Sequence, residues 1–320
     1  MIARLRRLRA DVLGLNRRNH AYLFGYNARD RYRIVDDKQA TKAALGAHGI
    51  PTPALHAVCD AQWRIGALGE RLAASSDFAL KPARGTGGAG IVVIVERRDR
   101  LFVKASGVTL TRSDLEAHAC DVISGAYSPG ARTDALMVEE RIVPEPRLAA
   151  LAYRGVPDVR VLVFRGVPLL AMLRLPTRRS DGRANLHLGG VGVGIDLPTG
   201  RTTFGVRAGR PVESHPDLGV PLAGVGIPAW DELLLLSARA ADAIGLGFVG
   251  VDVVLDVRRG PLVLELNARP GLTIQVANRR GLRPLLDAVG ATTVPAGIPA
   301  RVALGQRLAG SAGISLRAGS

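Results

Sequence analysis

The run from Gly247 to Gly271, GFVGVDVVLDVRRGPLVLELNARPG, carries the clearest alternation in the chain. Val249, Val251, Val253 and Leu255 alternate with Gly250, Asp252, Val254 and Asp256; further on, Leu262, Leu264 and Leu266 alternate with Val263, Glu265 and Asn267. A period of two puts alternate side chains on opposite faces, so the pattern predicts two strands, with Glu265 and Asn267 pointing the same way. A turn centred on Arg258-Arg259 sets Asp252 across from Glu265. Short apolar stretches also read as strands over 78–82, 91–95 and 135–140, and 157–177 as a hairpin turning at Arg165-Gly166. Helical spacing marks 37–46, stopped by Gly49 and Pro51, then 114–124 and 231–244. Residues 1–35 read as a basic helix followed by an irregular arm, and 291–320 as a flexible tail rich in Ala, Gly and Pro.

Composition narrows the class. With 320 residues, 47% hydrophobic and 22% charged, the chain has enough length for one bilobal domain or two interlocked ones. No apolar run is long enough for a membrane span, and the basic N-terminus lacks the apolar centre of a signal peptide, so the expected location is cytoplasmic. Cys59 and Cys120 are too few for a disulfide framework or a zinc site. The net charge of +15 would suit nucleic acid, but aromatic residues make up only 4% and the basic residues form no single stripe. Anionic small molecules or acidic peptides account for the charge as well. Only four lysines occur, Lys38, Lys42, Lys81 and Lys104, against a large excess of arginine. Lysine is a compact point charge for phosphate and does not exchange freely with arginine's planar fork, which singles out Lys38 and Lys81.

Two candidate chemistries follow. Paired carboxylates at Asp252 and Glu265 repel unless a cation sits with them, and with Asn267 they offer the oxygen ligands that suit Mg²⁺. GTGGAG at 85–90 superficially matches a dinucleotide fingerprint, but a strand follows it where that motif needs a helix. What remains is a glycine-rich hairpin loop just after Lys81, whose backbone N–H groups can approach phosphates closely.

In order along the chain, DDKQATKAALGAHGIPTP, FALKPARGTGGAGI, VEERI, DVRVLVF, RANLHLGG, GVDVVL and GPLVLELNARPGL resemble the ATP-grasp carboxylate–amine ligases, most closely the RimK-type, α-L-glutamate ligase-like proteins. The resemblance covers about Asp37 to Gly271. It implies an α/β (α+β) ATP-grasp fold, in which two lobes with antiparallel sheets clamp ATP: an N-terminal lobe over 36–138 and a C-terminal lobe over 139–290. Lys38, Lys81 and the loop Gly85, Thr86, Gly87, Gly88 and Gly90 would contact phosphates. Glu140, Arg141 and Ile142 would form the adenine-binding linker, with Asp158 near the ribose. Arg183 and Asn185 would face the γ-phosphate. Beside these, Arg160, Arg174 and Arg183 are candidates to clamp an acylphosphate or anionic substrate, with solvated strand positions the alternative for Arg160 and Arg174, and His187 is a candidate to orient substrate or activate the amine. Asp252, Glu265 and Asn267 would hold Mg²⁺, two ions in all, with Mn²⁺ able to substitute. The chain departs from the pattern in two places. About 35 residues precede the Asp-Lys helix, too few for the full pre-ATP-grasp domain, so the acceptor site is expected to be open, completed by a second subunit, or supplied by a partner protein. The segment 143–157 is longer than the pattern requires.

The reaction implied is ATP-dependent amide formation through an acylphosphate, adding an amino acid such as glutamate to a small acid or acidic peptide. The alternatives are a kinase on the same fold and a nucleotide-binding regulator without turnover.

Overall fold

The computed structural model describes residues 10–85 and 87–311. The chain divides into two compact units. The smaller comprises Asp36–Gln39 and Pro53–Val143, the larger Met1–Val35, Ala40–Thr52 and Pro144–Ser320. The sequence-based boundary at 138/139 therefore moves: the strand end and the linker residues up to Val143 go with the smaller unit.

Among the described residues, the smaller unit contains an antiparallel sheet of six strands: β1 (Leu55–Cys59), β2 (Phe78–Pro82), β3 (Val92–Arg98), β4 (Leu101–Lys104), β5 (Thr109–Leu110) and β6 (Leu136–Glu139), in the order β1-β6-β2-β3-β4-β5. The glycine-rich stretch is the β2–β3 hairpin connection, as the missing helix signal requires. Phe78, Leu80, Ile94 and Phe102 pack on Leu115, Ala119 and Val122 of the helix Arg112–Ile123. That helix begins at a capping box: Thr111 accepts from the Asp114 N–H, and Asp114 accepts in return from the Thr111 N–H.

The larger unit is built on a seven-stranded antiparallel sheet: β7 (Asp158–Phe164), β8 (Val167–Leu175), β9 (Val191–Ile195), β10 (Thr202–Arg207), β11 (Arg210–Val212), β12 (Phe248–Asp256) and β13 (Gly260–Asn267). Its order is β11-β10-β9-β8-β7-β12-β13. Both faces are covered, which is why its central strands are apolar almost throughout. Val159, Val161, Val163 and the predicted set Val249, Val251, Val253 and Leu255 meet the helix Trp230–Ile244. On the other face Leu162, Phe164 and Phe248 meet Leu13, Tyr22, Leu23 and the helix Arg283–Gly290.

Three expectations change here. Among its described residues the arm is helical in short pieces from Leu15 to Val35, and the part of the expected basic helix over 1–9 lies outside the described residues. Asn27 locks it to the sheet, accepting from the Phe248 N–H at 2.9 Å and donating to the Phe248 carbonyl at 2.8 Å. The supposed tail contains the helix Ile298–Ser311, which buries Val302, Leu304 and Ala309; residues 312–320 lie outside the described residues. Its Gly305 packs so closely on β8 that an added methyl group would collide with the Pro168 carbonyl. Small residues there signalled close packing rather than freedom.

The third change is in the register of β12 and β13. Asp252 does face Glu265, but Val253 faces Val263, so Leu264 is the extra residue of a bulge. The turn is one residue longer than an Arg258-Arg259 centre allows, with Asp256 paired to Gly260, and the bulge restores the predicted pairing at the carboxylates. Val263 consequently joins the core instead of sharing the polar face of Glu265 and Asn267. No helix among the described residues is long and apolar enough to cross a membrane.

Candidate active site

In the smaller unit the site begins with Lys81. β2 places it beside β6, and its Nζ lies 2.5 Å from Glu139 Oε2, both side chains almost fully buried. A buried ammonium needs such a partner. Glu139 escaped the sequence reading, which gave the linker role to its neighbour Glu140. The signal available was the requirement itself: a lysine inside an apolar strand calls for an acid on the adjacent one. Lys38 stands at the start of the helix Lys38–Ala47 and donates to the Gly85 carbonyl at 2.5 Å, so it braces the loop's entry. Asp134, also missed, accepts the Arg84 N–H at 3.0 Å and the Ala135 N–H at 2.8 Å.

The loop itself uses its glycines. Gly87, Gly88 and Gly90 all have positive φ, a region that glycine enters without steric cost. At Gly90 a side chain would also strike the Tyr127 ring and Pro82, and the Gly90 carbonyl is bonded to His118 Nε2 at 3.0 Å. Burial lowers the His118 pKa, so a neutral ring donating this N–H is the favoured state. Thr86 lies outside the described residues. Glu140 accepts from the Ala54 N–H at 3.2 Å, Arg141 bonds Asp77 at 2.7 Å, and Ile142 is half-buried in the linker after β6.

In the larger unit Asp252 is the hub. It is fully buried, and Arg160 donates to it from both sides of its fork, Nε to Oδ1 and Nη2 to Oδ2, each at 2.6 Å. Arg174 adds a bond to Oδ2 at 2.7 Å and Asn267 Nδ2 another at 2.9 Å. Arg174 also bonds Asp158 at 2.5 Å. Registers explain the convergence: Asp252 faces Arg160 on β7, and Asp158 faces Arg174 on β8. Gly250 lets Pro270 pack closely on β12, where an added methyl group would meet the Pro270 side chain.

The electrostatics separate the two aspartates. Burial would raise Asp252, but Arg160 and Arg174 outweigh it and hold the carboxyl below the ordinary range. Burial prevails at Asp158, which has one close guanidinium, and pushes it up to about 6. Arg174 is desolvated too, yet Asp158 and Asp252 hold it all the more firmly protonated. Asp158 is thus occupied with Arg174 in this arrangement, which does not favour the expected ribose contact.

The residues fit a divalent cation in a qualified way. Oδ2 of Asp252 already accepts three donors, whereas Oδ1 accepts one and keeps a lone pair. Glu265 is half-exposed opposite it, and the Asn267 amide keeps its oxygen. Three carboxylates against two guanidiniums leave the cluster one negative charge in excess. Among the described residues no group of three or more His, Cys, Asp or Glu side chains is placed to hold a metal, so an ion here relies on two carboxylates and an amide.

Arg183, Asn185 and His187 lie on the loop after β8, and none of them bonds to the Asp252 cluster. Asn185 caps a short helical turn by accepting the His187 N–H at 2.9 Å. Arg183 lies 3.9 Å from exposed Asp181, and His187 is exposed.

The profile of one protein family, described as sugar-transfer associated ATP-grasp, matches residues 17–291. The chain belongs to that family. ATP-grasp proteins work with ATP and Mg²⁺, and the two antiparallel sheets agree with the ATP-grasp expectation. Among curated proteins, the chain is similar to a probable alpha-L-glutamate ligase of Sodalis glossinidius, 33% identical over 122 residues, covering 38% of this chain and 30% of that protein. A second, from Mannheimia succiniciproducens, is 24% identical over 241 residues, covering 75% of this chain and 58% of that one. The chain therefore spans less than two thirds of either relative. Among solved structures, a RimK domain ATP-grasp protein from Sphaerobacter thermophilus overlaps 88% of this chain and 70% of its own, at 17% identity and a TM-score of 0.43.

Proposed function

We propose that this ATP-grasp chain is an ATP- and Mg²⁺-dependent ligase that joins a carboxylate to an amine. The observation that carries the reading is Asp252 in register with Glu265 and bonded to Asn267, two carboxylates and an amide on one strand pair, in a chain matched along most of its length by an ATP-grasp family. In the reaction a substrate carboxylate oxygen attacks the γ-phosphorus of ATP and ADP leaves with the bond pair. The amine then adds to the acylphosphate, loses a proton, and expels inorganic phosphate. Such chemistry asks for charge neutralisation and positioning rather than a protein nucleophile.

The residues divide the work accordingly. Lys38, Lys81 and the glycine loop would take the ATP phosphates, with Glu139 fixing the Lys81 ammonium. Glu140, Arg141 and Ile142 would receive the adenine. Asp252, Glu265 and Asn267 would hold Mg²⁺, which when bound neutralises phosphate charge. Arg160 and Arg174 brace Asp252 from behind, which makes them positioning residues before they are substrate clamps. Arg183, Asn185 and His187 would face the transferred group. An acidic acceptor fits the net charge of +15.

The test is product analysis. Mg-ATP with amino acids and acidic peptides, offered singly and in pairs, should release ADP and phosphate only when an acid and an amine are both present. The product mass should equal their sum less water. A substrate that instead gains one phosphate would make the protein a kinase.

A further inference from the structure

One group of arginines in the larger unit has no role in the reading above. Tyr153 lies under two guanidiniums, Arg154 at 5.5 Å and Arg178 at 5.4 Å from the ring centroid. Both arginines are exposed, and neither guanidinium forms an ion pair among the described residues. Nearby in sequence, Arg179 runs its stem over Gly189, whose carbonyl accepts from Arg207 Nε at 3.2 Å. We propose that Tyr153, Arg154 and Arg178, flanked by Arg179 and Arg207, form a binding subsite for an oxyanion, a phosphate or carboxylate group carried by the acceptor substrate. The subsite rests on the ligase reading only for which substrate brings the anion.

Three features argue for a built site. A guanidinium held by its face on an aromatic ring keeps its N–H edge free for a carboxylate or phosphate, and is oriented before the ligand arrives. The loop that carries these arginines is fixed from beneath. Thr177 and Ser180 bond each other reciprocally, buried His215 bonds the Pro176 carbonyl at 2.9 Å, and Asp217 accepts the Arg178 N–H at 2.7 Å. The Tyr153 segment is held against it backbone to backbone, since a methyl group at Gly155 would collide with the Gly182 carbonyl. Finally, Arg154 sits at φ +44°, a left-handed conformation that costs a non-glycine residue energy and persists where the surroundings impose it.

The test uses the full-length protein saturated with Mg²⁺ and a non-hydrolysable ATP analogue, so that the nucleotide phosphate positions are filled. Inorganic phosphate and tetraglutamate are titrated separately by calorimetry. At least one should bind, and Arg154→Ala/Arg178→Ala should weaken it tenfold or more. The control Arg97→Ala/Arg100→Ala, which removes two exposed charges from the smaller unit, should change it less than twofold. Tyr153→Ala, which unseats both guanidiniums while keeping their charge, should weaken it threefold or more. Binding of phosphate assigns a phosphorylated acceptor, and binding of the peptide a carboxylate-rich one. The proposal is overturned if neither probe binds, if the double variant matches wild type, or if the control falls as far. Binding of the ATP analogue, measured beforehand, reports separately on the ligase reading: its absence would sink that reading while the anion titrations still decide the subsite.

Discussion

The two buried charge centres solve the same problem differently. In the smaller unit one lysine meets one glutamate across neighbouring strands. In the larger, Asp252 accepts from two arginines and an asparagine, with a second aspartate beyond them. An ammonium is a rotatable point charge on a flexible stem, so the Lys81 pair can reorganise when a phosphate arrives. Two planar forks on one carboxylate allow no such freedom, because moving either breaks several charge-assisted bonds. The contrast indicates that the lysine centre is suited to exchanging partners, and the arginine centre to holding one carboxylate oxygen in place.

Breaking the arginine hub should have the largest effect. Asp252→Asn leaves two buried guanidiniums without their shared anion, and loss of one partner from a buried ion pair costs about 3–5 kcal/mol. Turnover should vanish and the urea midpoint should fall by a corresponding amount. The sequence shows a strand carboxylate but not the arginines across from it, so this stability cost follows only from the assembled sheet. An unchanged midpoint would show that Arg160 and Arg174 do not depend on Asp252.

The lysine centre should break and then recover. Lys81→Met removes the buried cation beside Glu139 and should cost about 3 kcal/mol, whereas Lys81→Met/Glu139→Gln should regain most of that stability, since a buried pair is replaceable by uncharged groups. Neither protein should turn over ATP. Recovery of stability without activity would separate the fold requirement from the phosphate requirement; recovery of both would remove Lys81 from the chemistry.

Two smaller effects sharpen the comparison. Glu265 is half-exposed and bonds none of the arginines, so Glu265→Gln should shift stability by no more than about 0.5 kcal/mol while abolishing Mg²⁺-dependent turnover. His118 contributes a pH dependence of its own. Its folded pKa is lowered, so as pH falls the unfolded chain takes up the imidazole proton first, near pH 6.5, and this contribution to stability drops below that pH; Asp158, raised to about 6, acts in the opposite direction but equally in wild type and a His118 variant. Wild type should lose more stability than His118→Gln between pH 7.5 and 5.5, measured by urea unfolding at each pH; equal losses would discard the Gly90 contact as the cause.

Much of this was legible in the sequence, for physical reasons that can be named. Alternation located β12 and β13, strand-length apolar runs located β2 and β3, and the strand after the glycines excluded a dinucleotide fingerprint. The Asp252–Glu265 pairing was predicted correctly from a turn placed slightly wrong, because a bulge at Leu264 cancels the longer turn, and no local pattern announces a bulge. Glu139 was hidden because β6 is buried on both faces and shows no alternation. The arginine hub depends on strands distant in sequence, so its pairing appears only once β7, β8 and β12 are side by side. The helix Ile298–Ser311 was read as a tail because Ala and Gly resemble a linker until the strand they pack against is in place.

The account's central claim is that Asp252, Glu265 and Asn267 hold the metal. The direct measurement is Mn²⁺ binding, followed by electron paramagnetic resonance with a non-hydrolysable ATP analogue present, in wild type and Glu265→Gln. Wild type should take up Mn²⁺, and the variant, equally folded, should bind it at least tenfold more weakly. Equal Mn²⁺ affinity in the two proteins would contradict the claim and move the metal away from this strand pair.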